Sequence, residues 1–314
     1  MKESAGLPKK ALLLGWIGLG IVLFELIGHK VIQARIPARE DWEEAVAFVR
    51  SEWRKGDALT SAPRWTDPLL REFAGELIDL PMAGRSDLEA YERLWVLSIR
   101  GARSDEAPPE PPELTKEFGR VRLERWSLGP SAVLFDFVEH VHEALVFRRD
   151  RGVDRPCVRI DVPGPTTGGL QHWPIETASR QLCDQARPWL WVGATTVMDL
   201  ELRPRRCVTQ HPQGPEPIIA RYEKVPISER LVVYGGLWWE RERWRNGGDV
   251  VLVVRLDGEA IGRMVHRDGE GWKRIEITLP PERVGSQGRI DFEVSAEWPD
   301  FRAFCWAASM RRMK

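Results

Sequence analysis

Tyrosine is scarce in this 314-residue chain, with 3 Tyr against 15 Trp, and net charge is nearly absent, because 46 Lys+Arg offset 47 Asp+Glu to leave -1. Such a balance excludes a nucleic-acid binder that works by neutralising phosphates. Cysteine is limited to Cys157, Cys183, Cys207 and Cys305 with no C-x-x-C pair, which excludes the commonest metal signatures. Long apolar runs are missing beyond the first 36 residues. Later ones such as Val250–Val254 are strand-length, so the chain crosses a membrane once at most. A phosphate loop is missing too: Gly164-Pro165-Thr166-Thr167-Gly168-Gly169 is followed by Leu170 and Gln171 where Lys and Ser/Thr are required. No Ser stands in a nucleophile-elbow pattern. His140 and His142, within Glu139-His140-Val141-His142-Glu143, would share one strand face as a metal corner requires, but no third ligand accompanies them. A solvated strand face is the expectation there. No catalytic set, metal or cofactor is expected.

What is present begins with the N-terminus. Lys9 and Lys10 precede ALLLGWIGLGIVLFELIG, Ala11 to Gly28, whose only charge is Glu25. The uncharged part suits a signal peptide, whereas a helix continuing to Ile36 could span a bilayer. Small residues at cleavage spacing are poorly supplied by Ile32-Gln33-Ala34 and Ile36-Pro37-Ala38, so an uncleaved anchor is expected over residues 1–36. Lys2, Lys9 and Lys10 are balanced by Lys30, Arg35 and Arg39, and the charge bias barely decides orientation. A short tail before one span commonly goes with an exported body. Residues 37–314 are therefore expected to be extracytoplasmic, on a single-pass protein of the inner (cytoplasmic) membrane.

The body divides by periodicity. At 43% hydrophobic residues it can bury a sizeable core. From 37 to 150, strands at Ala58–Ser61, Leu77–Pro81, Arg93–Ile99, Arg120–Trp126 and Ala132–Val146 alternate with helices from Asp41, from Asp67, near Asp87–Tyr91 and at Leu114–Phe118. That pattern predicts a three-layer α/β domain. The charged stretch Arg148–Arg155 marks its end. From 151 to 314 the reading is all-β, with strands at Leu231–Leu237 and Val250–Leu256, a two-residue hairpin at Asp257-Gly258, and Ile290, Phe292, Val294, Ala296 and Trp298 on one buried face. A closing strand covers Arg302–Ala308. Many strands without a long helix predict a jelly-roll β-sandwich.

Asp41-Trp42, Phe48-Val49, Gly56-Asp57, Ser61-Ala62-Pro63, Leu94–Leu97 and Arg122–Trp126 together resemble the soluble domain that follows the last membrane helix of multi-spanning glycosyltransferases using polyprenyl-phosphate sugars. The resemblance covers residues 38–146 and implies an exported α/β domain near lipid-linked glycan chemistry. Those enzymes keep their catalytic Asp in a helical membrane bundle, and this chain has one such helix, so Glu40 and Asp41 read as helix-start charges. Arg206-Cys207, His211-Pro212, Leu231–Gly236, Val250–Leu256, Gly271-Trp272 and Phe304-Cys305-Trp306 resemble the jelly-roll modules of bacterial carbohydrate-binding and cell-surface proteins. That likeness implies a fold rather than a ligand.

The even cysteine count in an exported body permits disulfides, and the expected pairs are Cys207 with Cys305, both on predicted strands, and Cys157 with Cys183. Four free thiols are the alternative. Trp238, Trp239, Glu240, Arg241, Arg243 and Trp244 form the best candidate ligand site, since sugar C–H faces pack on indoles while hydroxyls need Arg or carboxylate partners. Trp238 and Trp239 point oppositely if extended, so one belongs to the core. His172-Trp173 and the pair Trp189 and Trp191, which would share a strand face, are secondary candidates. The function expected is a non-catalytic glycan-binding or envelope-assembly component, contacting the membrane through one helix and a glycan or an envelope protein, with no nucleic-acid partner. The alternatives are a carbohydrate-active enzyme, either hydrolase or transferase, and a purely structural interaction module.

Overall fold

The computed structural model describes residues 9–33, 36–161, 179–245 and 247–314. The Gly164–Gln171 stretch and His172-Trp173 lie outside them, as do Lys2, Ala34 and Arg35 of the membrane and cleavage readings. Two compact units divide the chain: one comprises residues 1–55, 59–75 and 95–127, the other 56–58, 76–94 and 128–314.

The first unit opens with helix α1, Lys9–Gln33, in which Trp16–Gln33 has a mean hydropathy of 1.4 and is long and apolar enough to cross a membrane. Helix α2, Arg39–Glu52, buries Trp42, Ala45, Val46 and Val49 at the spacing of one helical face. Its Asp41 carboxylate accepts from Ala38 N and Arg120 N, both at 3.0 Å. This ties the helix start to the turn between two strands introduced below. At that turn Gly119 has φ +54, and a Cβ there would lie 2.0 Å from Asp41 Oδ1, so only glycine fits. Strand β1, Asp57–Ala62, is followed by helix α3, Asp67–Ala74, with Pro68 in its first turn. Next come β2, Arg93–Ile99, β3, Leu114–Phe118, and β4, Val121–Ser127, while the short helix α4, Leu80–Ala83, belongs to the second unit. The sheet order is β1-β2-β4-β3, and α2 packs on β3 and β4. One helical layer on the sheet is what these contacts show; three layers are not.

Several local expectations change. Leu114–Phe118 is a strand rather than a helix, because it pairs antiparallel with β4 from Leu114↔Arg125 to Phe118↔Val121. Leu77–Pro81 is not a strand: Asp79 accepts from Met82 N at 2.8 Å and starts α4 instead. Residues 132–146 do not form one strand. They split into β5, Val133–Asp136, a 3-10 turn at Val141–Glu143, and β6, Leu145–Asp150. The Asp136 carboxylate causes the break by accepting from Val138 N and Glu139 N. His140 and His142 therefore share no strand face; their rings stack 6.5 Å apart, and His140 lies on Phe135 at 4.1 Å. Arg148–Arg155 lies in the hairpin that pairs β6 with Val153–Pro156 inside the second unit.

The second unit is a β-sandwich. After β7, Val153–Pro156, β8, Val158–Asp161, and β9, Ser179–Leu182, come β10, Trp191–Met198, β11, Pro204–Gln210, β12, Ile218–Pro226, and β13, Arg230–Leu237. Helix α5, Trp239–Trp244, precedes β14, Val250–Leu256, β15, Glu259–His266, β16, Lys273–Thr278, β17, Gln287–Ala296, and β18, Phe304–Arg311. One sheet runs β16-β13-β18-β11-β10-β9-β8 with β5 also paired to β18; the other runs β15-β14-β17-β12-β6-β7. Apart from the β14–β15 hairpin, which stays within one sheet, the last eight strands alternate between the sheets as in a jelly-roll winding. Inward residues of both sheets, among them Val233, Phe304, Trp306, Ile218, Leu252 and Phe292, make one core.

The Asp257-Gly258 hairpin forms as expected, with φ +50 and +97 at its two central residues. Both disulfides, Cys157–Cys183 and Cys207–Cys305, are present. The closing strand sits in the middle of its sheet, between β13 on one side and β11 and β5 on the other. Trp189 and Trp191 do not share a face: β10 starts at Trp191, which is buried, whereas Trp189 is half-exposed before it.

At one end of β18, the Arg311 guanidinium is buried and bonds Asp87 and Glu89 through Nη1, each at 2.8 Å. Arg230 holds Glu89 at 2.8 Å and Glu276 at 3.1 Å, and Tyr234 donates its hydroxyl proton to Asp87. Burial pushes both Asp87 and Glu89 up, but Arg311, with Tyr234 at Asp87 and Arg230 at Glu89, holds them below the ordinary carboxylate range. Depressed folded-state values stabilise the protein above the ordinary carboxylate range, and that contribution is lost as the pH falls through them. Arg311→Met is thus expected to cost about 2–3 kcal/mol at pH 7, with the deficit shrinking below about pH 4, as checked by urea unfolding at both pH values.

Candidate functional site

The segment after β13 is set by what lies under it. Trp238 is extended and buried, packing in one cluster with Val197, Ala303 and the Cys207–Cys305 disulfide. Its carbonyl accepts from Arg241 N and Glu242 N, which starts α5. Trp238 is accordingly the core member of the tryptophan pair. Trp239 is half-buried, edge-on to Trp238 at 6.2 Å, with the Arg243 guanidinium carbon over its ring at 5.4 Å from the centroid. Glu240 is half-buried, and Arg243 and Trp244 are exposed.

Arg241 organises the outer surface. Its guanidinium carbon lies 4.3 Å from the Trp244 ring centroid and 4.5 Å from that of Phe301, while the two rings meet edge-on at 6.3 Å. Burial and the neighbouring Arg302 charge lower the Arg241 pKa, and Glu240 opposes them. Phe301 is half-exposed with φ +60, a left-handed conformation that costs a bulky residue about 1–2 kcal/mol. Trp298 is 70% exposed, because β17 ends at Ala296 and the chain leaves the strand face on which the sequence pattern put it. Gly248 makes room there: a Cβ would come within 3.0 Å of the Trp298 Cβ.

Behind this surface is a buried polar pair. The Glu242 side chain is fully buried, and its Oε1 accepts from Gly271 N at 2.6 Å. His266 Nε2 donates to Gly271 O at 2.8 Å and stands 3.6 Å from Glu242 Oε1. Among the described residues Glu242 Oε2 and His266 Nδ1 have no hydrogen-bond partner. Burial, reinforced by Asp268 and Asp199, pushes the Glu242 carboxyl up to about 7 against the backbone amides that favour its charge. Burial likewise holds His266 below its ordinary value.

Of the six residues read as a ligand site, Arg243 and Trp244 are exposed, Trp239, Glu240 and Arg241 are partly covered, and Trp238 is inside. Phe301, Trp298 and His266 are additions from the structure, and Glu242, one charge of the same Glu-Arg run in the sequence, is singled out only by its burial. A separate concavity of about 340 Å³ is lined by Arg148, Arg149, Arg187 and Glu216. Its arginines are engaged by Asp184 and Asp154 at 2.7–2.9 Å and are not presented for an anion. Among the described residues no group of three or more His, Cys, Asp or Glu could hold a metal ion.

No family model and no curated protein matches the chain. Some solved structures are similar to it. One is the CBM51-2 and INT region of Clostridium perfringens ZmpB in complex with GlcNAc, at 12% identity and TM-score 0.31, covering 54% of this chain and 37% of that one. Another is the CBM51 of C. perfringens GH95 with methyl-galactose, at 8% identity and TM-score 0.26, covering 38% and 79%. A third is CBM27-1 of Caldicellulosiruptor saccharolyticus with mannohexaose, at 11% and 0.25, covering 38% and 81%. The chain thus spans about a third of the length of the first of these. TM-scores this low assign neither ligand nor role.

The two faces of the segment predict opposite mutational behaviour. Trp238→Ala should cost about 3–5 kcal/mol, because it opens a cavity over the disulfide. Trp244→Ala should cost about 1 kcal/mol or less, with both read by denaturant unfolding.

Proposed function

We propose that the protein is a membrane-anchored, extracytoplasmic glycan-binding or envelope-assembly component without catalysis of its own, and that the α5 surface is its ligand contact. The observation that carries this reading is Phe301. A bulky aromatic residue is held half-exposed in a left-handed conformation edge-on to Trp244, with Arg241 over both rings. Strain kept at an exposed aromatic residue is the mark of a surface retained for contact rather than for stability. Sugar C–H faces pack on such rings, and Arg241 and Glu240 offer donors and acceptors to the hydroxyls around them. The anchor is the apolar stretch Trp16–Gln33, and the two disulfides fit an oxidising compartment.

The full chain in detergent should bind one or more cell-envelope polysaccharides, and Trp244→Ala or Phe301→Ala should each weaken binding about tenfold, the worth of one aromatic contact. Affinity electrophoresis and calorimetry would measure this. Absence of binding across the panel, or binding untouched by both substitutions, removes the assignment.

A further inference from the structure

Among the described residues the buried carboxylates are Asp57, Asp199, Glu242, Asp291 and Glu293. Four of them meet an arginine: Asp57 with Arg93 at 2.6 Å, Asp199 with Arg205 at 2.7 Å, Asp291 with Arg221 at 2.9 Å, and Glu293 with Arg255 at 2.9 Å. Glu242 differs. Its ion-pair neighbour is His266, whose Nε2 proton is already given to Gly271 O. A carboxylate removed from water needs a cation, or else it takes a proton.

We propose that Glu242 is a proton-operated latch beneath the α5 surface: protonated, it holds α5 to the Gly269–Trp272 segment, and ionised, it drives that segment toward water. The contact that would break is Glu242 Oε1 with Gly271 N, which links the helix carrying Arg241 and Trp244 to the turn between β15 and β16. The groups around it do not supply the missing cation. On α5 itself, Arg241 packs over two aromatic rings and Arg243 over Trp239, Arg245 at the helix end is exposed with its guanidinium beside Gly269, and Glu240 adds negative charge. From the β15–β16 turn, Asp268 bonds the buried Arg302 and Glu270 bonds Lys273 at 2.8 Å. From the turn before β11, Asp199 is saturated by Arg205. Asp268 and Asp199 disfavour the ionised form further, in keeping with a carboxyl raised to about 7.

The sign follows from that shift. A carboxyl raised in the closed state favours closure at low pH, and the contribution is lost as the pH rises from the ordinary glutamate value through about 7. His266, lowered by burial, acts oppositely, favouring closure above its ordinary value and losing that as the pH falls. The two slopes offset one another in the native protein, and Glu242→Gln separates them. The consequence for ligand affinity rests on the reading of α5 as a binding surface; the latch itself does not.

Hydrogen exchange on the full chain in detergent, expressed as protection factors for 239–245 and 267–272, tests it without a ligand. The opening of these segments in the native protein relative to E242Q should rise roughly tenfold or more between pH 5.5 and 8, with E242Q growing better protected as His266 loses its proton. Parallel profiles overturn the latch. Should E242Q not fold, native protein labelled with carbon-13 at its glutamate carboxyls should show one resonance titrating near 7, and its absence overturns the proposal. Glycan binding measured at both pH values separates the outcomes: a pH-dependent exchange profile without any glycan binding leaves the latch standing and removes the ligand reading.

Discussion

The sandwich depends on how Gln210 is satisfied. This side chain, fully buried at the end of β11, donates its amide protons to Ile218 O at 2.8 Å and Phe292 O at 3.0 Å, both in the opposite sheet. Its Oε1 accepts from Trp306 Nε1 at 2.9 Å. One side chain thereby joins β11, β12, β17 and β18, and the penalty for leaving any of these buried groups unpaired enforces the arrangement. Trp306 is fixed in turn against Phe292, with ring centroids 4.0 Å apart. Sliding one sheet on the other would break the stack and the hydrogen bonds together.

With Trp306 held inward, the alternation of β18 decides what its other face does. Phe304, Trp306, Ala308 and Met310 enter the core. Cys305, on the opposite face, bonds Cys207 and underlies Trp238, from which α5 starts. Six residues further on, Arg311 collects Asp87 and Glu89. A single strand thus fixes the core, the platform for the aromatic surface and the segment from 76 to 94 within the same unit. The Cys207–Cys305 bond closes a loop of 98 residues, and the chain-entropy estimate for a loop that long is about 4–5 kcal/mol.

The periodic parts of this architecture were legible in the sequence. The α2 face, the strands from Leu231 onward and the Asp257-Gly258 hairpin follow from spacing, because repeated side-chain direction is what sequence records best, whereas the cysteine pairing rested on an even count and on Cys207 and Cys305 lying on predicted strands. Partnership was not. Leu114–Phe118 has no local reason to be a strand apart from the Gly119 turn that folds it onto β4, and the break at Asp136 arises from a carboxylate turning back on its own backbone. At the candidate site, the Trp/Arg composition located α5 but could not say that Trp238 lies over a disulfide. Glu242 looked like one charge in an alternating Glu-Arg run. Its isolation became apparent only when its neighbours across the β15–β16 turn were in place.

Arg241 has two opposed effects on the surface it occupies. Packed over both Trp244 and Phe301, which meet each other edge-on, it covers one side of the pair, and a ligand must therefore use the outward ring faces. The same packing holds both rings in fixed relation before any ligand arrives. Cation–π contacts of this kind are worth about 0.5–1 kcal/mol at exposed sites, comparable with the cost of immobilising one rotamer-rich side chain on binding. The arginine consequently lowers the ordering cost that ligand binding would otherwise carry, while the left-handed backbone at Phe301 keeps its ring from retreating toward the core. Preorganisation of two rings by one cation, rather than the number of exposed tryptophans, is what distinguishes this end of the sandwich from the half-exposed Trp189 ahead of β10.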